Sequence, residues 1–474
     1  MKPIISRLRK LNIEISLVAG KLRIHAPEGV LTGELLEEIK ASKDYLIEYI
    51  LEVRGNRPDT GIPPAEKKRY FRLTSAQRRL YTLYAMDRDS LAYNETQVIR
   101  LDGDFQEDKL RRVFRQLVQR HESLRTYFEL VENEPVQRIA GAIEPAIGFL
   151  EGEESWLDRI IASFIRPFDL HRAPLFRAGL VTTSAGGHFL IVDTHHIITD
   201  AFSEGILIRD FRTLWKGESL DPLPLQYKDY AEWQGHMHRM KGIGQREFWL
   251  REFAGEPKPP ELPADFPRPA VKGRTTGVLH FELQAAETAA LRDIGRESGA
   301  SLFMILLSIY TILLAKLSGQ EDIVVGIPMA DRQHAGLEGV MGLFINTLAL
   351  RNYPRGDKGY LEFLSDLRTR TLACLDHPYY PYEDIIDDLR IARTTGRNPL
   401  FDVWFIYQNY EKAGQDGHGI VLLESRRAER ESKFDIILEA SDPGSQIFLT
   451  IVYSGDLFRQ STMERFAGYF REIV

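Results

Sequence analysis

The chain is almost without cysteine. Its 474 residues contain one, Cys374. That excludes an intramolecular disulfide framework and a multi-cysteine metal site, and Cys374 itself reads as a small core residue. Long apolar runs are missing too. Leu302-Phe303-Met304-Ile305-Leu306-Leu307 falls far short of the ~20 residues that a membrane-spanning helix needs. Residues 1–20 carry Arg7, Arg9 and Lys10 but no long uncharged core, so no secretory signal is read and a cytoplasmic protein is expected. Positive charge is not in excess: 61 Lys and Arg face 68 Asp and Glu, a net charge of −7. A broad nucleic-acid footprint is therefore not expected. There is no G-x-S-x-G elbow, no P-loop and no G-x-G-x-x-G in a suitable context, which argues against serine-hydrolase chemistry and nucleotide hydrolysis.

What is present is ordinary globular composition, 43% hydrophobic and 27% charged, with length for roughly three domains. A composition break comes early. Residues 54–69, RGNRPDTGIPPAEKKR, read as a linker that sets apart residues 1–53. Within that unit Ile4, Ile5, Leu8 and Leu11 recur at helical spacing. Ile13, Ile15 and Leu17, then Leu22 and Ile24, alternate with polar residues around an Ala19-Gly20 turn. Thr32 caps a helix bearing Leu35, Leu36 and Ile39, and Tyr45, Leu46, Tyr49 and Ile50 form a last apolar stretch. Helix, hairpin, helix, helix is the expected order. The hairpin has a free edge with Lys21 and Arg23 on its outer face. It reads either as a solvated charged face or as an edge that captures a partner segment by strand addition.

Residues 70–474 alternate strand-like segments (Phe189–Asp193, Ile323–Ile327, Thr347–Leu350, Phe401–Tyr407, Phe448–Tyr453) with helix-like ones (Glu107–Glu122, Ser203–Lys216, Glu287–Ser298, Leu302–Leu317, Asp357–Asp376). The Pro-rich passage Glu256–Pro269 follows Phe248-Trp249 and divides this region into halves at 70–245 and 246–474. An α/β (α+β) protein with two comparable lobes and a ligand site between them is expected.

Asp193-Thr194-His195-His196-Ile197-Ile198-Thr199-Asp200 is the sharpest local feature. An apolar strand, Phe189–Val192, runs into two adjacent histidines, and an amphipathic helix begins near Ser203. Neighbouring side chains on a strand point opposite ways, so one histidine faces a cavity and the other is held in the fold. A histidine near its free pKa of ~6.5 can accept a proton at neutral pH. Asp200 also reads as the N-cap of the following helix. The motif lacks an H-x-x-x-H face, and no further ligand cluster is evident in the sequence, so no metal is assigned.

Several motifs line up in order. Ser75–Leu80, Arg120–Thr126, His195-His196-Ile197-Ile198-Thr199-Asp200, Tyr227–Trp233, Leu262–Asp265 with Arg268-Pro269, Gly342–Thr347 and Arg397–Phe401 together resemble the motif series of condensation domains from nonribosomal peptide synthetases. Leu22–Gly29, between hairpin and helix, resembles the small αββαα docking domains at the start of megasynthase subunits.

The resemblance implies two chloramphenicol-acetyltransferase-like lobes in a V with a central tunnel, preceded by the docking domain. It implies amide-bond formation between a donor acyl or peptidyl thioester and an acceptor aminoacyl thioester. Both arrive on the 4′-phosphopantetheine arms of carrier proteins, and the chain itself binds no cofactor. The donor carrier comes in trans from an upstream subunit whose C-terminal tail the docking domain binds through a surface including Lys21 and Arg23. The acceptor carrier lies downstream, in a longer subunit of which this chain is expected to be a piece. Carried over, His196 faces the reacting centre, His195 is buried support, and Asp200 makes a structural salt bridge with Arg332. Ala201, Ser203 and Asn346 are expected along the tunnel near that centre. One departure stands out: the family's HHxxxDG has Gly where this chain has Ala201. A Cβ there is costly if the position needs positive φ and harmless if it is helical. That leaves a docking and gating scaffold as an alternative, with epimerisation and ester formation as related chemistries.

Overall fold

The computed structural model describes residues 14–18, 21–25, 35–36, 39–40, 42–43, 62–101, 106–255, 257–270, 273, 275–332, 334–391, 397–408, 420–423 and 432–474. At the N-terminus, β1 (Glu14–Val18) and β2 (Lys21–His25) pair antiparallel as the expected hairpin, with Val18 opposite Lys21 and Ser16 opposite Arg23. Leu35 and Ile39 are buried helical residues. The helices expected over 4–11 and 45–50, and the side chains of Lys21 and Arg23, lie outside the described residues.

In the first lobe β3 (Phe71–Arg72), β5 (Thr126–Val131) and β6 (Glu134–Ile139) form a small sheet. Between its first two strands come α1 (Ser75–Met86), β4 (Asn94–Leu101) and α2 (Glu107–Arg120). Then follow β7 (Ile147–Gly152), α3 (Leu157–Phe164), β8 (Phe176–Thr183), β9 (His188–His195), α4 (Ala201–Trp215) and α5 (Tyr227–Glu252). The second lobe runs β10 (Thr276–Leu283), α6 (Ala285–Ser298), α7 (Leu302–Ser318), β11 (Ile323–Ala330), β12 (Ile345–Asn352), α8 (Tyr360–Leu375) and α9 (Tyr382–Asp388). It ends with β13 (Val403–Gln408), β14 (Ile420–Leu423), β15 (Ile436–Ser441), β16 (Ile447–Ser454) and α10 (Gln460–Ile473).

Two sheets carry the lobes. One has the order β14-β4-β9-β8-β7 and the other β10-β16-β15-β13-β11-β12. Each is covered by helices over its own apolar core, because strands such as Phe189–Val192 and Ile323–Ile327 bury continuous apolar runs. α7 is apolar on nearly every side and is correspondingly buried in the second core. Among the described residues no single helix is long and apolar enough to cross a membrane.

Residues 257–269 of the Pro-rich passage lie between α5 and β10, but the lobes also exchange parts of the chain. The boundary at 245/246 falls inside α5, one continuous helix from Tyr227 to Glu252. Leu337, Val340, Met341, Leu343 and Phe344 pack into the first lobe's core although they follow β11. β14 returns from the second lobe to pair antiparallel with β4, Leu422 opposite Ile99. The segment read as a linker over 54–69 joins the fold from Ile62 on. Ile62 is buried in the first core, and the Ala65 N–H donates to Asp229 Oδ1 at 2.7 Å. Long-range pairing decided these matters, and composition carries no trace of it.

Candidate active site

β9 delivers the histidine pair. Its apolar residues hold it between β4 and β8, in register Asn94↔His195 and Phe176↔Thr194. The strand ends at His195, and His196 opens a single 3₁₀ turn, His196–Ile198. Strand alternation therefore stops one residue earlier than the sequence suggests, and the turn rather than the pleat separates the two rings. His195 is buried, 5% exposed, and its Nδ1 accepts the Ile197 N–H at 3.1 Å. His196 is partly exposed. Its backbone N–H donates to the Tyr93 carbonyl at 2.8 Å, and its Nδ1 lies 2.7 Å from the Thr199 carbonyl. A carbonyl only accepts, so Nδ1 carries the proton and, in the neutral ring, Nε2 keeps a lone pair.

Asp200 ends the turn as the N-cap of α4, accepting the Ser203 N–H at 2.7 Å. The same carboxylate accepts the Phe344 N–H at 2.9 Å and faces Arg332 Nη2 at 3.2 Å. The cap and the ion pair are thus one arrangement rather than alternatives. Arg332 also donates to the carbonyls of Leu337 and Val340 and to Ser203 Oγ, and its guanidinium lies 3.9 Å from the Phe344 ring centroid. The residues after the histidines are thereby tied to a loop of the C-terminal half.

Burial dominates the electrostatics. It pushes His195 down to about 3, with His196 and Lys433 adding to the effect. His196 is lowered by burial first and by Lys433 next, while Glu95, the Thr199 carbonyl and Asp200 oppose them. Both rings are therefore neutral at physiological pH. Two residues before His195, burial raises Asp193 to about 6 against the pull of Arg177, Thr96 and Asn94. Among the described residues no group of three or more His, Cys, Asp and Glu could hold a metal ion.

Residues 67–474 match the family model of the condensation domain, and residues 2–52 match that of the TubC N-terminal docking domain. The chain belongs to the condensation-domain family. Tyrocidine synthase 3 of Brevibacillus parabrevis is 40% identical over 416 residues, 88% of this chain and 6% of that protein. Bacitracin synthase 2 of Bacillus licheniformis is 35% identical over 473 residues, 99% of this chain and 18% of that protein. The chain thus spans a small fraction of the curated relatives it matches. The X-domain from teicoplanin biosynthesis shares the fold with a TM-score of 0.80 at 23% identity, over 87% of this chain and 96% of that one. The architecture is the chloramphenicol-acetyltransferase-like fold of condensation domains, a family of peptide-bond-forming enzymes.

The remaining motifs of this condensation domain brace the histidine turn, the contact between the lobes or the interior of one lobe. Gln77 Nε2 donates to the Ile197 carbonyl, and Arg79 reaches across to Thr347 Oγ1 at 2.8 Å. His121 and Arg120 hold Asp210 on α4, and Ser123 Oγ donates to the Met341 carbonyl. The Tyr227 hydroxyl donates to the Leu343 carbonyl at 2.6 Å, and the Tyr230 hydroxyl to Asp331 at 2.6 Å. Arg268 pairs with Asp435, Arg397 with Asp402 at 3.1 Å, and Asp265 accepts the Arg459 N–H.

Ser203 does not line a tunnel. It is fully buried, because its place one turn into α4 points the hydroxyl at Arg332 and at both backbone groups of Gly342. Asn346 is partly exposed and donates to the Pro378 carbonyl at 2.8 Å. Ala201 is exposed and opens α4, outside the residues with positive φ. The conditional strain argument against a Cβ there does not apply. Sequence reasoning missed Glu95, Lys433 and the part played by Tyr93, whose carbonyl holds His196. A charged Glu95 and Lys433 beside apolar strands were the available signal.

Proposed function

We propose that this condensation domain joins a donor acyl or peptidyl thioester to the amine of an acceptor aminoacyl thioester. The state of His196 carries the reading: a neutral ring, fixed through Nδ1 on the Thr199 carbonyl, that offers Nε2 from a partly exposed position. A free α-amine has a pKa of ~7.7–8.0, so much of it is already neutral near pH 7.5 and its deprotonation needs little help. His196 acts after attack. The amine nitrogen bonds to the carbonyl carbon, the carbonyl oxygen becomes an oxyanion, and Nε2 takes the extra proton from nitrogen. The C–S bond then breaks, the amide forms, and the departing thiolate recovers the proton. His195, Asp200 and Arg332 hold the turn in place for this.

Both thioesters are carried on 4′-phosphopantetheine arms of carrier proteins. The docking-domain match precedes the condensation match with only residues 53–66 between. That order supports a donor carrier arriving in trans, its subunit's C-terminal tail added to the β1–β2 hairpin near Lys21 and Arg23, and an acceptor carrier downstream. Intact-mass spectrometry of loaded donor and acceptor carriers, mixed with this protein or its His196→Ala form, tests the reading. Acyl mass moves to the acceptor only with the unmodified protein. Bound carriers with no transfer over a range of donors would sink it.

A further inference from the structure

We propose that Lys433 is a positioning residue of the condensation site, brought in behind the β14 crossover and held against Glu95 and Tyr93 so that its ammonium charge sets the field at His196. The proposal deepens the condensation reading and rests on it. Lys433 follows the strand that leaves the second lobe to pair with β4, and it precedes β15. Its Nζ lies 3.6 Å from Glu95 Oε1, with both side chains largely shielded from solvent, and 4.7 Å from the centroid of the Tyr93 ring. Those two neighbours already hold residues of and beside the histidine turn. The Tyr93 carbonyl holds the His196 N–H, and Glu95 sits opposite Thr194 on β9, whose hydroxyl donates to the Glu95 carbonyl at 3.2 Å. A residue far along the chain thus reaches the site through the backbone neighbours of the reacting ring.

Among the described residues, Lys433 disfavours the His196 imidazolium and Glu95 and Asp200 favour it, while the neighbouring His195 ring also faces Arg177. Nε2 accepts a proton only while the ring is neutral. Lys433 adds to burial and opposes two carboxylates that would otherwise bring the ring back toward histidine's free value, which matters most below pH ~7.

The test uses the full chain and reads His196 directly. ¹H–¹³C NMR titration of the ring Cε1–H, assigned with His196→Gln, gives its midpoint without carriers. The pH dependence of kcat/KM with loaded carriers gives the acid limb. In Lys433→Met both midpoint and limb move up by about half a pH unit or more. Glu95→Gln moves them down, and Lys433→Arg leaves them in place. A Lys433→Met protein that loses rate at an unchanged His196 midpoint overturns the proposal and makes Lys433 a structural tie. An unchanged midpoint in Glu95→Gln counts against it equally. If the midpoints move as expected while the unmodified protein transfers no acyl group, the field reading stands and the condensation reading falls.

Discussion

Arg332 and Asp200, 132 positions apart in the chain, meet at 3.2 Å with both side chains nearly out of solvent. The same Asp200 carboxylate caps α4 and accepts the Phe344 N–H. One carboxylate therefore fixes the start of the helix, the end of the histidine turn and a loop of the other half.

Removing either partner leaves the other charged and buried. Arg332→Ala is expected to lower stability by about 3 kcal/mol, the range for breaking a buried pair. Asp200→Asn keeps a capping oxygen, whereas Asp200→Ala loses the cap as well and costs about 1 kcal/mol more. Denaturant unfolding of the three variants checks the order. Equal losses for Asn and Ala would mean that the cap contributes nothing.

His196 makes little contribution to the core, being partly exposed. His196→Ala is expected to leave the melting temperature close to that of the unmodified protein while slowing condensation by about 10²–10⁴. Calorimetry beside the acyl-transfer assay separates the two effects. His195→Ala should do the reverse on stability, since it strands the buried Ile197 N–H.

Acid should destabilise the protein through His195. Its native pKa of about 3 lies below the ordinary 6.5, so between those values the unfolded chain binds more protons, and stability falls as pH drops through that window. Asp193 works in the opposite sense. Its native value of about 6 lies above the ordinary 3.8, so stability falls as pH rises from ~4 to ~6. The histidine shift is the larger. Unfolding free energies at pH 6.5 and pH 4 are expected to show a net loss in acid, shallower in His195→Asn and steeper in Asp193→Asn.

Gly342 has no room for a side chain: a Cβ there would lie 1.8 Å from Tyr227 Cδ2. Tyr227 is buried and bonded to Leu343 and Thr74, so it cannot swing away. Gly342→Ala is expected to destabilise by about 1–3 kcal/mol, as for overpacked cores. In the Tyr227→Ala background the same change should cost less than it does alone, and a double-mutant cycle measures that coupling.

Much of this was legible along the chain because the cues are local. The apolar run Phe189–Val192 marks β9, and the acid at position 200 marks the start of α4. The motif order pointed to the family that the comparisons show. Ser203 was misread because motif spacing places a residue near a centre without saying which way a helix turns its side chain. Composition could not show that residues of the 54–69 segment from Ile62 on also pack, because Pro and charge occur in packed chain too, as Ile62 and Ala65 show against the first lobe and α5.

The sequence by itself determined the strand, turn and helix around His196, since alternation, apolar runs and caps act over a few residues. It also determined the ordered motifs and the docking hairpin. Tertiary structure alone decided which of two adjacent histidines is sealed off, which acid is shared by a cap and an arginine, and which lysine packs on Glu95 and Tyr93. Burial and charge at one point are set by everything packed around it. Here that includes Tyr93, Glu95 and Lys433 on one side and Arg332 and Phe344 on the other, residues that only folding brings together.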